Sequence, residues 1–286
     1  MRYESPQTVD QAISLLAGAG GDPRVLAGGT DLLVQLRAGV IDPELIVDIK
    51  QIDEAMAIST EAGGFRVGAA VSGARLKEHD TLSASWPGVV EAADLIGSTQ
   101  IQGRASMGGN LCNASPAADT VPALIAAGAT CALAGPGGRR EVPVEEICTG
   151  PGQTILTDGE FVVSILLPAR GSRSGDAYLR FIPRTEMDIA VVGVGVSLSL
   201  DRDGQCSAAR VAVGAVAPTA LLVPAAAEAL VGGTIDDAAI DAMAAAVRAV
   251  CRPIDDKRGT VAYRIEVAGV LAGRACRIAL DRAGSA

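Results

Sequence analysis

The chain has 286 residues, with 24 Lys and Arg against 33 Asp and Glu, and a net charge of −9. Hydrophobic residues make up 49% and charged residues 20%, which excludes a disordered chain and allows a buried core. The acidic balance argues against nucleic-acid binding, which requires clustered Lys and Arg. The N-terminus lacks the apolar stretch of a signal peptide, and the apolar runs are too short to cross a bilayer. We therefore expect a cytoplasmic protein without membrane insertion.

The cysteines and the histidine form no motif typical of a metal centre or a hydrolase. The six cysteines include no C-x-x-C pair, and we interpret them as scattered buried thiols rather than disulfides or ligands. His79 is the single histidine and has no ligand partner at helical spacing. We therefore predict no metal in this chain and no Ser-His-Asp catalysis.

The first 52 residues are predicted to form an α/β unit. Thr8 opens a capping box, and the residues after it have helical spacing. The predicted elements are a helix over residues 9–17, a strand over 24–27, a helix over 32–38 and a strand over 45–49.

A second unit is predicted over residues 53–175 and a third over residues 176–286. In the second unit we predict strands over 65–69, 129–133 and 161–167, and helices over 87–95 and 119–127. In the third we predict strands over 177–181, 190–200 and 209–216, then helices near 225–230, 236–251 and 260–281. Strands followed by helices indicate an α+β arrangement.

Two glycine-rich segments have the composition of a cofactor site. The first glycine segment, residues 24–33, contains Gly28-Gly29-Thr30-Asp31, and the second, residues 106–119, contains Gly108-Gly109-Asn110 and ends at Asp119. Glycine lets the backbone approach a ligand closely, and successive N–H groups form an anion site. Two such segments would clamp one diphosphate from both sides, which makes a dinucleotide the first ligand to consider.

Other interpretations of the glycines remain open at this point. Neither segment is a Walker A loop or the G-x-G-x-x-G nucleotide fingerprint, and each one alone is compatible with an ordinary turn. Gly193 and Gly195 lie inside an apolar predicted strand, where we interpret them as packing positions or a bulge.

The order of motifs along the whole chain resembles the FAD-binding medium subunit of the molybdenum hydroxylases, the xanthine dehydrogenase and carbon monoxide dehydrogenase group. The matching strings are Tyr3-x-Ser5-Pro6-x-Thr8, Leu26-Ala27-Gly28-Gly29-Thr30-Asp31-Leu32, Gly108 to Asp119, Glu160-Phe161-Val162, Asp188-Ile189-Ala190 and Tyr263-Arg264. The resemblance implies two N-terminal FAD-binding α/β subdomains of the vanillyl-alcohol-oxidase type (PCMH-type), over 1–52 and 53–175. It also implies a C-terminal domain of the CO dehydrogenase flavoprotein type, a three-stranded antiparallel sheet with helices.

The resemblance further implies a function within a heteromeric complex. This chain would hold FAD, take electrons from the 2Fe-2S clusters of a small subunit and pass them to NAD+, oxygen or another acceptor. Substrate would be hydroxylated at a molybdenum cofactor in a large molybdopterin-binding subunit, and a dimer of heterotrimers is one expected assembly. The sequence names neither the reducing substrate nor the final acceptor.

The residues implied in FAD binding follow from matching positions. Along the first segment they are Arg24, Val25, Leu26, Ala27, Gly28, Gly29, Thr30, Asp31 and Leu32, and elsewhere they are Ser106, Gly109, Asn110, Asp119, Val162 and Arg180. Gly28, Gly29 and Thr30 would supply donors to the phosphates, Asp119 would accept from the ribityl or adenosine portion, and Val162 would pack near the flavin. Arg180 would place a cation where it stabilises the reduced flavin. No catalytic residue is implied.

The chain departs from the family pattern at a few positions. Ser106 replaces Thr and keeps the hydroxyl, Gln102 replaces Arg and removes a charge, and Arg180 replaces Lys with a different geometry. The cysteine-bearing insertion that gives some relatives a further iron–sulfur cluster is missing from the sequence. The role of an Arg at position 102 is therefore in doubt, and no metal is expected.

Several alternatives are carried forward. Asp31 and Asp119 are also suited to cap helices, Arg180 to an exposed strand position, and Tyr178 to the core. Thr185, Glu186 and Asp188 form a polar loop that faces either the cofactor or solvent. The alternative functions are a self-sufficient FAD-dependent oxidase or reductase of the same superfamily, and a flavin-free scaffold subunit.

Overall fold

The computed structural model describes residues 1–184 and 187–285, so Thr185 and Glu186 of the predicted polar loop lie outside the described residues. The strands are β1 Arg2–Glu4, β2 Arg24–Leu26, β3 Leu45–Asp48, β4 Ile58–Glu61, β5 Gly64–Gly68, β6 Thr130–Gly135, β7 Gly138–Pro143, β8 Cys148–Gly150, β9 Gln153–Thr154, β10 Phe161–Leu167, β11 Ser174–Phe181, β12 Val192–Leu200, β13 Cys206–Gly214 and β14 Leu221–Leu222. The helices are α1 Val9–Ala17, α2 Leu32–Arg37, α3 Asp53–Met56, α4 Gly73–Lys77, α5 Asp80–Ser85, α6 Pro87–Asp94, α7 Thr99–Gln102, α8 Met107–Cys112, α9 Thr120–Ala127, α10 Pro224–Glu228, α11 Asp237–Val250 and α12 Val261–Ser285.

The N-terminal sheet is parallel, with strand order β1-β3-β2. Parallel neighbours require crossover connections, and here α1 joins β1 to β2 while α2 joins β2 to β3. The capping box predicts the start of α1 correctly, because Thr8 Oγ1 accepts a hydrogen bond from the Gln11 N–H at 3.2 Å. The three-residue strand β1 was not predicted, because Arg2-Tyr3-Glu4 is too short to show the alternation of apolar and polar residues that is typical of a strand.

The middle sheet is antiparallel, with order β4-β5-β10-β6-β7. Its central strand β10 occupies the predicted residues and is buried almost throughout. Helices α4 to α9 are inserted between β5 and β6, and every residue of α9 is buried. The residues of the first two sheets share one apolar core, while a second core lies under the C-terminal sheet. Residues on the two sides of position 52 therefore lie in separate sheets and share one core.

The C-terminal sheet is antiparallel, with order β11-β12-β13-β14. The three long strands confirm the predicted α+β class, and the two-residue β14 extends the sheet by a fourth strand. Helix α12 packs against β11 and β12, α11 packs against α12, and α9 contacts β12 and β13. A Cβ on Gly195 would lie 2.6 Å from the Pro122 carbonyl oxygen in α9, so the packing interpretation of this glycine is confirmed.

Candidate cofactor site

A cavity of about 620 Å3 lies between the two glycine segments and the stretch from residue 152 to 162. Most of the predicted cofactor residues line it: Arg24, Val25, Ala27, Gly28, Gly29, Thr30, Asp31, Leu32, Ser106, Gly109, Asn110 and Val162. The volume is within the range of about 300–1,000 Å3 that is usual for ligand sites. The other three predicted residues, Leu26, Asp119 and Arg180, are described by the structure but lie outside this lining.

The first glycine segment leaves β2 and turns sharply before α2. Gly29 has a φ of +80°, a conformation that glycine adopts without the penalty of a Cβ. The backbone N–H groups of Gly28, Gly29, Thr30 and Asp31 donate no hydrogen bond to another described residue. Four successive free donors at the wall of a cavity form an anion-binding concavity.

The two residues that precede the second glycine segment, Arg104 and Ala105, approach the backbone of the first segment closely. A Cβ on Gly28 would overlap the carbonyl oxygen of Arg104 and lie 3.1 Å from Ala105 Cα. The contact requires glycine at position 28, because any side chain there would force the segments apart. The two segments, about eighty residues apart in sequence, therefore form opposite walls of one cavity as the sequence predicts.

Part of the second segment is helical, which the sequence analysis did not predict. Ser106 is the N-cap of α8, and its Oγ accepts the N–H of Gly109 at 3.1 Å. Ser106 is a favourable N-cap residue, but the Gly108-Gly109 pair that follows it has low helix propensity, so the sequence does not indicate a helix here. Ser106 and Gly109 both line the cavity, but this hydrogen bond engages the Gly109 N–H within the protein.

Asn110 connects the cavity to the start of α9. Its Oδ1 accepts from the backbone N–H of Thr120 at 3.0 Å and from Thr120 Oγ1 at 2.6 Å. Asn110 thus performs the capping that the alternative interpretation gave to Asp119, whose side chain makes no cap hydrogen bond. The carboxamide oxygen is fully used, which leaves the Asn110 NH2 group as a donor at the cavity wall.

Asp119 and Arg180 form a buried ion pair behind that wall. Arg180 Nη1 donates to Asp119 Oδ2 at 2.8 Å, and the Tyr178 hydroxyl donates to Oδ1 at 3.0 Å. Burial raises the pKa of Asp119 to about 6, although Arg180 and Tyr178 act in the opposite direction. The alternative of an exposed Arg180 is wrong, since 6% of its side chain is accessible, and Tyr178 lies in the core as expected.

Asp31, predicted as a cofactor residue or a cap, lies at the N-cap of α2 without a side-chain capping hydrogen bond. Neighbouring protein atoms partly desolvate its carboxyl group and raise its pKa. Arg24 is the one cation among the described lining residues, and its Nη2 donates to Asp22 Oδ2 at 2.7 Å. The cavity must therefore neutralise an anion chiefly with backbone dipoles.

The structure adds residues that sequence reasoning missed. Ile96 and Gln35 line the cavity, as does the stretch around Gly159, whose φ is +79°. Gln35 Nε2 donates to Asn113 Oδ1 at 3.3 Å and so links α2 to the second segment. Leu32 and Gln35 are three residues apart on α2 and so lie on one face of it, a helical spacing that could have identified α2 as a wall of the cavity.

No metal-binding group or membrane helix is found in the part of the chain that the structure describes. No cluster of three His, Cys, Asp or Glu residues there has the arrangement of a metal site. No helix among residues 1–184 and 187–285 is long and apolar enough to span a membrane. Cys112 lines the cavity, and burial raises the pKa of its thiol to about 12, which disfavours the reactive thiolate.

The polar loop before β12 is described only in part. Asp188 Oδ2 accepts from Arg184 Nε and its Oδ1 from Arg258 Nε, each at 3.1 Å. The hydrogen bond from Arg184 and the other contacts lower the pKa of Asp188 to about 2. Its carboxylate is therefore occupied by two guanidinium groups.

The residues at the cavity fit a dinucleotide such as FAD. Free backbone donors suit the diphosphate, and the walls near Val162 and Ile96 are apolar. Glycine at position 28 allows the close approach of the two walls, because a Cβ there would force them apart. A flavin dinucleotide needs this combination of an anion cradle and an apolar slot.

Comparison with known proteins agrees with this geometry. Residues 1–170 match the family model described as the FAD binding domain in molybdopterin dehydrogenase, and residues 177–279 match the CO dehydrogenase flavoprotein C-terminal domain. The chain is 33% identical to the carbon monoxide dehydrogenase medium chain of Hydrogenophaga pseudoflava over 98% of its own length and 97% of that protein. It is 34% identical to a putative xanthine dehydrogenase FAD-binding subunit of Escherichia coli K12 over 76% of this chain and 74% of that one.

Solved structures show the same relationship. A structure of carbon monoxide dehydrogenase from Hydrogenophaga pseudoflava superimposes with a TM-score of 0.94 at 34% identity, covering 99% of this chain and 98% of that one. Quinoline 2-oxidoreductase from Pseudomonas putida 86 gives a TM-score of 0.90 at 28% identity, with 99% and 98% covered. This chain therefore belongs to the family of FAD-binding medium subunits of the molybdenum hydroxylases, which are oxidoreductase subunits.

Proposed function

We propose that this chain is the electron-transfer subunit of a heteromeric molybdenum hydroxylase. It accepts electrons from the 2Fe-2S clusters of a small subunit and delivers them to NAD+, oxygen or another acceptor. Substrate is hydroxylated at a molybdenum cofactor in a large subunit. The observation that carries the proposal is the row of four free backbone N–H groups at the wall of the cavity between the glycine segments.

FAD, when bound, supplies a centre that takes up and releases electrons. The chain itself contributes binding, orientation and electrostatics, as proteins generally do for redox cofactors. The free amides from Gly28 to Asp31 would hold the diphosphate, and the Asn110 NH2 group would donate from the opposite wall. Leu32, Ile96 and Val162 would exclude water from the flavin.

The buried cluster behind the wall has an indirect role in this proposal. Asn110 Oδ1 holds the N-terminus of α9 through Thr120, and Asp119 at that N-terminus is held by Arg180 and Tyr178. Asp119 and Arg180 thereby fix the orientation of the Asn110 amide relative to the cavity. The direct contacts with FAD that the resemblance implies for these two side chains stay a prediction.

The partner subunits are proposed from the relatives. Two of the relatives are medium chains of carbon monoxide dehydrogenases, and a third is named as a subunit of a 6-hydroxypseudooxynicotine dehydrogenase complex. These names describe parts of larger assemblies. We propose a large molybdopterin-binding and a small 2Fe-2S partner for this chain, in a cytoplasmic complex that could form a dimer of heterotrimers.

The first test is the visible absorption spectrum of the natively purified protein with its co-purifying chains. We expect a flavin band above an iron–sulfur background, together with one larger and one smaller chain. The separated medium chain should regain a flavin band when FAD is added. A chain that binds no added FAD would contradict the proposal and favour a scaffold role. A yellow, cluster-free monomer that oxidises a substrate alone would favour a self-sufficient oxidase.

A further inference from the structure

We infer that Lys50 is a positioning residue for the diphosphate of the cofactor. It orients the peptide between Ala27 and Gly28 so that the Gly28 N–H turns away from Lys50 and toward the anion. The inference rests on the proposed FAD site. Lys50 itself lies outside the described lining of the cavity and belongs to none of the motifs that identify the family.

The geometry follows from one hydrogen bond and from the planarity of the peptide. Lys50 follows β3, in the 3-10 turn Ile49–Gln51, and its Nζ donates to the Ala27 carbonyl oxygen at 2.9 Å. The described chain contains no cis peptide bond, so the Ala27 C=O and the Gly28 N–H point in opposite directions within the peptide plane. Fixing the carbonyl on the Lys50 side therefore fixes the first free N–H of the anion cradle on the other side.

A buried carboxylate holds the Lys50 ammonium in place. Asp48 is 6% exposed, and its Oδ1 accepts from Lys50 Nζ at 2.7 Å and from the Lys50 backbone N–H at 3.0 Å. The Tyr3 hydroxyl donates to Asp48 Oδ2 at 2.5 Å. Burial acts to raise the pKa of Asp48, but the bonds from Lys50 and Tyr3 outweigh it, and the net shift is downward. The carboxylate thus stays ionised and ties β1 and β3 to the first glycine segment.

The same contacts explain why a cation is needed at this position. An unbound Ala27 carbonyl would be free to rotate toward the cavity and present a partial negative charge to the diphosphate. The one described cation in the lining, Arg24, already donates to Asp22. By binding the Ala27 carbonyl oxygen, Lys50 therefore keeps this acceptor away from the diphosphate and at the same time directs the Gly28 N–H toward it.

The test compares FAD affinity, stability and phosphorus NMR in matched variants of the full-length chain. Lys50→Met keeps the unbranched apolar stem of the side chain but removes the donor, and Lys50→Arg keeps charge and donor. Lys77→Met is the control, because Lys77 forms a surface pair with Asp94 and its side chain is 62% exposed. We expect Lys50→Met to weaken FAD binding by about tenfold or more, the effect of losing a hydrogen bond to a charged group. The 31P resonances of bound FAD should shift in this variant, while Lys50→Arg retains most of the affinity.

Tyr3→Phe provides a second, milder variant should Lys50→Met fail to fold. It removes only the hydroxyl that donates to Asp48 and should weaken FAD binding by about threefold. The inference is overturned if Lys50→Met, or in its place Tyr3→Phe, binds FAD as tightly as Lys77→Met. It is also overturned if affinity falls with unchanged 31P resonances, which would indicate a loss of stability alone. A wild-type chain that binds no FAD would instead contradict the proposed function.

Discussion

Replacing Gly28 with alanine should weaken FAD binding by about a hundredfold, because several hydrogen bonds to the charged diphosphate are lost together. The added Cβ would overlap the Arg104 carbonyl oxygen and lie 2.7 Å from its carbon. These are backbone atoms that cannot rotate away, so the two walls of the cavity must separate. Titration of the flavin-free chain with FAD, followed by flavin fluorescence, measures the loss.

Gly137→Ala is the matched control for this substitution. Gly137 lies between β6 and β7, and a Cβ there would have no described atom within 4 Å. We expect this variant to bind FAD like the unmodified chain. Equal affinity in Gly28→Ala and Gly137→Ala would show that the two glycine segments do not act as opposite walls of the FAD site.

Replacing Arg180 with methionine should destabilise the fold by about 3 kcal/mol at neutral pH, the usual cost of leaving one partner of a buried pair uncompensated. The Arg180 side chain is 6% and the Asp119 side chain 11% exposed. Without the guanidinium, Asp119 must either remain charged in the core or take up a proton. Urea unfolding gives the free energy of unfolding at about pH 7.5, where the charged carboxylate is favoured, and at about pH 5, where the protonated carboxyl is favoured.

The pH dependence follows from the direction of the pKa shift. The folded-state pKa of Asp119 is about 6, above the value of about 3.9 for an unfolded chain. The contribution of Asp119 to the free energy of unfolding is therefore fully present below the pKa of the unfolded chain. It is lost as the pH rises through the pKa of the folded state. Loss of Arg180 raises the folded pKa further, so the loss of stability continues above pH 6. The difference between variant and unmodified chain should be large at about pH 7.5 and smaller at about pH 5.

An exposed ion pair gives the control for the Arg180 substitution. Arg139 Nη1 and Nη2 donate to the two carboxylate oxygens of Glu54 at 2.6 and 2.9 Å, with 55% of the Arg139 side chain accessible. Solvent screens such pairs, so Arg139→Met should change stability little at either pH. An Arg180→Met variant with the same loss at both pH values would contradict the role assigned to the Asp119 carboxylate.

Local signals in the sequence predicted much of the fold. The ends of α1 and β10 agree with the predicted residues because a capping box and a continuous apolar run are local patterns. Helix α8 escaped prediction because Gly108 and Gly109 mask the signal of its Ser106 cap. The domain boundaries at residues 52 and 175 stay predictions.

The sequence by itself determined the family, the α+β class and the two glycine segments that line the cofactor cavity. These features depend on residue type and spacing, which are properties of the chain before it folds. Only the tertiary structure decided that Asp119 and Arg180 pair behind the wall, and that Lys50 reaches the Ala27 carbonyl. Such contacts join residues far apart in sequence, and residue type and spacing do not specify which distant side chains meet when the chain packs.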